Sequence, residues 1–236
     1  MARRSVVPGV YQLANPASNA YLVDGGEGLV LVDTGVPGRG PGIAQEIESV
    51  GRSAGRDLAA IAITHAHADH AGSLAQLAEA FPVPVLAGAP DAALIRTGGA
   101  PPSGVPTSLF ARVLFRIIAP ATLEAGRVDV EVVEGTMVPG APGLHALLTP
   151  GHTPGHVSFF WPEHRGVLFA GDIAANVLGL RESFVHADRA EALRSLTRIA
   201  AMDFEVAVFG HGPPISGRAV AQFRRLVEEM ARSGAV

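Results

Sequence analysis

The 236-residue chain contains no cysteine. That absence removes disulfides, thiolate-held metals, iron–sulfur clusters and a cysteine nucleophile together, so any metal here must be held through nitrogen and oxygen. All 18 basic residues are Arg and none is Lys, which excludes a Schiff-base or phosphate-loop lysine. Against them stand 22 acidic residues, for a formal charge of −4. Such a balance favours neither nucleic acid nor an anionic membrane surface as a partner. No uninterrupted apolar run reaches the length of a membrane span. Pro8, Gly9, Gln12, Asn15 and Pro16 break the N-terminal stretch before the core of a signal peptide can form. These absences predict a soluble cytoplasmic protein.

The 48% of hydrophobic residues can bury a sizeable core, and the length suits a single domain over 1–236. Short β-type runs at 9–14, 20–24 and 28–33 open the chain, the last two joined by the hairpin signal Gly25-Gly26-Glu27. Ile43, Ile47 and Val50 then repeat with a helical period, and 58–63 reads as a buried strand. A helix over about 70–80 follows, with a strand starting in 82–86. Further strands are predicted at 128–133, 145–148, 157–161, 166–170 and 205–209, and helices at about 189–201 and 219–231. Sheet and helix in both halves predict α/β layers with helices outside two facing sheets. Segment 107–118 is almost wholly apolar and reads as a core or homodimer-interface helix, with a pocket wall as the alternative. Arg218, Arg224, Arg225 and Arg232 are diluted by Glu228 and Glu229 and read as a solvated helix face.

Three of the nine histidines fall with an aspartate inside six residues, as His65-x-His67-x-Asp69-His70. With nine His and nine Asp in the chain, a chance match to that pattern is on the order of one in two thousand. The pattern begins where a strand ends, the place where open sheets bind ligands. Residues two apart in extended backbone point the same way, so His65 and His67 can reach one metal while Asp69 and His70 point elsewhere. The layout recurs at Gly151-His152-Thr153-Pro154-Gly155-His156, Gly171-Asp172 and Gly210-His211. Each time glycine precedes the polar residue, as a tight backbone exit requires. Asp33, at a strand end, reads equally as an orienter of a ligand histidine or as part of a structural turn.

These segments, in this order and with Leu31-Val32-Asp33-Thr34-Gly35 ahead of them, resemble the metallo-β-lactamase superfamily over nearly the whole chain. The resemblance implies a four-layer αββα sandwich with two divalent ions at one edge of the sheets, Zn²⁺ first and Fe or Mn as alternatives. It implies His65, His67 and His152 as ligands of one ion, Asp69, His70 and His211 as ligands of the second, and Asp172 as the bridge. The resemblance also implies a catalytic role for Asp69. His156 is expected to support the site without ligating, and His145, His164 and His186 to be surface or packing residues.

An aspartate at 172 resembles the wider hydrolases of the family, whereas its true β-lactamases place a cysteine or serine there. The implied activity is cleavage of an ester, lactone or thioester by a hydroxide shared between the ions. Two other readings are a mononuclear iron persulfide dioxygenase of the same fold and a zinc-stabilised binding protein without catalysis. The chain resembles glyoxalase II at the ligands, but the 25 residues after His211 leave no room for that enzyme's glutathione-binding helical domain. It resembles quorum-signal lactonases in 149–156, yet those place a catalytic tyrosine after the bridging aspartate, and here the only tyrosines are Tyr11 and Tyr21.

Overall fold

The computed structural model describes residues 4–13, 15–50, 54–100, 104–107 and 122–232. The predicted apolar helix over 107–118 lies outside them from residue 108 onward. The first sheet runs β1 (Arg4–Val7), β2 (Val10–Leu13), β3 (Ala20–Asp24), β4 (Leu29–Val32), β5 (Leu58–Ala62), β6 (Val85–Gly88) and then β8 (Val130–Val132). Its first four strands are antiparallel neighbours, and the predicted Gly25-Gly26-Glu27 turn joins β3 to β4. From β4 onward pairing is parallel, which requires crossovers. These are α1 (Gly40–Glu48) with α2 (Ala54–Asp57), then α3 (Leu74–Ala80), then α4 (Ala89–Thr97).

The second sheet has the order β16 (Ile215–Ser216), β15 (Val206–Val208), β11 (Val167–Phe169), β10 (Val157–Trp161), β9 (His145–Leu148). Because β9 and β11 are both antiparallel to β10, and β15 is parallel to β11, the strands β9, β11 and β15 all point the same way. Helices α5 (Arg189–Ala200) and α6 (Ala219–Arg232) complete this half. A short pair joins β12 (Ala174–Ala175) to β13 (Arg181–Glu182), and another joins β7 (Val105–Pro106) to β14 (Val185–His186).

Alternation along the strands sorts their side chains into three cores. Ala20, Leu22, Leu29 and Leu31 face Ile43, Ile47, Leu74 and Ile95 of the first helices. Tyr21, Val23, Val30 and Val32 face the other way, onto Phe159, Trp161, Val167, Phe169 and Val208 of the second sheet. Leu168 and Ala207 turn to Leu196, Ile199, Phe223 and Leu226 of α5 and α6. Three cores between four layers are the αββα arrangement. Each fully buried Val, Leu or Phe contributes about 1.5–3 kcal/mol, so strands buried on both faces hold the two sheets in fixed relation.

Local reading fails where remote backbone intervenes. The helix expected from about residue 70 starts at Leu74, because 68–72 bonds to a neighbouring loop. The His70 carbonyl accepts from Thr34 N–H and Oγ1, and Gly72 N–H donates to Gly35 O. Helix α4 was not predicted, its start hidden by Gly88 and Pro90, although proline in a first helical turn is favourable. Arg224 lies on the exposed helix face, as expected, and also makes specific bonds there. Its guanidinium donates to Ala200 O and Met202 O, satisfying carbonyls at the end of α5.

Candidate metal centre

Strand direction brings the predicted residues to one edge. Asp33 follows β4, the His65 to His70 segment follows β5, and His152, Asp172 and His211 follow β9, β11 and β15. In the second sheet Phe169 pairs with Val208, so Asp172 and His211 lie level, each three residues further on. Gly210 allows the close approach: a Cβ there would lie 2.0 Å from Asp172 Oδ1 and 2.5 Å from His70 Cε1.

All seven predicted ligand residues meet, in three overlapping groups: His65, His67 and His152; His65, His70 and Asp172; and Asp69, His70 and His211. His65 Nε2 lies 2.9 Å and His152 Nε2 3.0 Å from His67 Nδ1. Asp172 sits between the groups, with Oδ2 3.7 Å from His152 Nε2 and 3.2 Å from His211 Nε2, and Oδ1 3.6 Å from His70 Nε2. Asp69 Oδ2 is 3.3 Å from His211 Nε2.

The tautomers follow from the outer partners. His70 Nδ1 lies 2.9 Å from Asp33 Oδ2, His152 Nδ1 2.8 Å from Val185 O and His211 Nδ1 3.1 Å from Ala17 O. Each of those acceptors requires the proton on Nδ1, which leaves Nε2 with its lone pair pointing inward. Thr64 Oγ1 donates to Asp33 and so accepts from His65 Nδ1 at 3.0 Å, placing His65 in the same state. His65 and His152 both aim Nε2 at His67 Nδ1, which can donate to only one of them, so a cation among the three nitrogens satisfies them all. His70 Nε2 and Asp172 Oδ1 are buried without a hydrogen-bond partner, a costly state that a bound cation relieves. The donor set of imidazole and carboxylate fits Zn²⁺, Fe or Mn.

Electrostatics divide the cluster. Burial, reinforced by neighbouring imidazoles, holds His65 and His152 well below the usual imidazole range, and burial lowers His67 too. The Asp172 charge pushes His211 up to about 11. Burial opposes a rise at His70, yet Asp69, Asp172 and the bond to Asp33 bring it to about 9. Burial also works against both carboxylates, but His70 and His211 keep Asp69 and Asp172 below the usual carboxylate range.

Asp33 proves to be an orienter, with a backbone at φ +60° and a carboxylate shared by Thr64 and His70. Aspartate tolerates this left-handed conformation better than most residues. His156 stands outside the three groups and accepts from Asp172 N–H at 2.9 Å, while its Nδ1 meets Thr149 Oγ1 at 2.8 Å. His186 is buried, its ring edge-on to His152 at 5.9 Å, whereas His164 is exposed.

The sequence reading missed the loop between β2 and β3. Asn19 Nδ2 donates to Phe209 O and Gly212 O, Asn19 N–H donates to Gly210 O, and Ser18 Oγ donates to Asp69 O. These bonds bracket His211 and Asp69, and nothing in Asn15 to Asn19 read alone signals that use. Tyr21 is likewise committed, donating to Phe209 O at 2.8 Å.

The chain is 28% identical over 242 residues to "Probable metallo-hydrolase YflN" of Bacillus subtilis, covering 94% of this chain and 90% of that protein. It is 29% identical over 133 residues to a hydroxyacylglutathione hydrolase of Idiomarina loihiensis, covering 56% of this chain and only 39% of that protein. BJP-1, a subclass B3 metallo-beta-lactamase of Bradyrhizobium japonicum, shares the fold with a TM-score of 0.72 at 23% identity, over 100% of this chain and 94% of that one. The family model of the metallo-beta-lactamase superfamily matches residues 15–211, and the chain belongs to that superfamily.

Proposed function

We propose that this metal-dependent hydrolase holds two divalent ions and cleaves an ester, lactone or thioester of a small molecule. The observation that carries the reading is Asp172, whose two oxygens face His152 of one ligand group and His70 and His211 of the other. His65, His67 and His152 would hold one ion, Asp69, His70 and His211 the second, with Asp172 shared. Two such ions supply a water acidified to near neutrality and a polarised carbonyl.

The chain's own groups do the rest. Thr64, Asp33, Val185 and Ala17 keep four imidazoles in the tautomer that presents Nε2. Asp69 has about a third of its side chain open to solvent. That position suits it to orient the attacking water and to pass its proton to the departing alkoxide or thiolate. A thioester is kept in the substrate class by the likeness to hydroxyacylglutathione hydrolase, and Tyr21, bonded to Phe209 O, is not available as a lactonase tyrosine.

Metal content per chain, measured alongside turnover of an ester, lactone and thioester panel, tests the reading. Two ions with turnover are expected. One iron with oxygen uptake would replace the reading with a persulfide dioxygenase, and metal without turnover would leave a metal-stabilised binding protein.

A further inference from the structure

Asp91 lies in the first turn of α4 and is almost wholly buried, yet it belongs to none of the ligand groups. Its Oδ2 accepts from Ala66 N–H at 2.8 Å and from Thr153 Oγ1 at 2.7 Å, and its Oδ1 accepts from Gly155 N–H at 2.8 Å. Ala66 stands between His65 and His67, and Thr153 directly follows His152. The two loops come from different sheets, one after β5 and the other after β9. We propose that Asp91 is a positioning residue whose carboxylate sets the separation between the His65/His67 loop and the His152 loop. The inference rests on the metal-centre reading above and adds to it the element that spaces three of the imidazoles.

Chemistry requires a carboxylate here. All three contacts are donors, and two of them are backbone N–H groups that cannot rotate away. An asparagine in either flip would set its NH₂ against one of those N–H groups, so one loop must be released. The start of α4 favours negative charge. The His152 loop is also seated directly on that turn, since a Cβ at Gly155 would lie 2.6 Å from Asp91 Oδ1 and 2.4 Å from Asp91 N. Partners that orient ligands from outside the coordination shell typically change metal affinity by about 10–100-fold when lost.

The test is calorimetric titration of Zn²⁺ into chelator-stripped wild type, Asp91→Asn and Thr153→Val, with circular dichroism and thermal melts of the metal-free chains. Asp91→Asn is expected to fold and to bind about 10–100-fold more weakly. Thr153→Val, which removes one donor and leaves both backbone bonds, is expected to weaken binding by about tenfold, the lower end of that range. A purely structural role would lower the melting temperature of the metal-free chain and leave affinity per folded chain unchanged, and that result overturns the proposal. Should Asp91→Asn fail to fold, Thr153→Val decides, and wild-type affinity in it counts against the link. Failure of the wild type itself to take up Zn²⁺ would instead remove the underlying metal-centre reading.

Discussion

At one end of the cluster His65, His67 and His152 meet as three rings that burial keeps neutral. At the other end Asp69, His70 and His211 mix carboxylate with imidazoles whose affinity for protons is raised, and both Asp69 and His211 are partly open to solvent. The neutral end attracts a cation only through lone pairs in the right place, so its strength lies in geometry. The charged end attracts cations over a longer range, so its strength lies in Coulomb energy that solvent and protons can screen. Asp172 is the single group common to both.

Breaking that shared group should have the largest effect. Asp172→Asn is expected to lose at least one ion and roughly 10³-fold or more in turnover, since metal stabilisation of the transition state is worth several kcal/mol. Metal analysis with kinetics would check it, and retention of both ions with near-normal turnover would show the ends to be independent. Single-ligand variants sharpen the contrast next. His65 takes part in two of the three ligand groups and His211 in one, so His65→Ala should lower metal content further than His211→Ala. Equal stoichiometries by elemental analysis would erase the difference. The smallest effect is expected behind the charged end. Tyr21→Phe removes the donation to the Phe209 carbonyl, which Asn19 Nδ2 still serves at 2.9 Å, and a longer 3.3 Å acceptance from Phe209 N–H. Urea denaturation should register a loss of about 1 kcal/mol, with metal content unchanged.

How much of this was legible depended on distance along the chain. The hairpin at Gly25 to Glu27 and the strands at 145–148 and 157–161 were readable because turn chemistry and alternation act between near neighbours. Asp33 was undecided from sequence because a strand-end aspartate looks the same whether or not a histidine arrives beside it. Helix α3 began four residues late because the His70 carbonyl is claimed by Thr34, 36 residues earlier. Asp91 passed unnoticed for a related reason. Its three donors come from Ala66, Thr153 and Gly155, all remote in the chain, so they leave no mark in the sequence around it.

By itself the sequence determined the kind of chemistry available: no thiolate ligands, and the His and Asp residues whose clustered spacing singles them out. Spacing within a hexapeptide is a local property, and composition needs no fold at all. Only the tertiary structure decided which nitrogen each ring presents and which carboxylate stands between the groups. The Nδ1 partners of His70, His152 and His211 are Asp33, Val185 and Ala17. Those residues are remote in the chain, and they reach the rings only once two sheets pack with their strand ends along one edge.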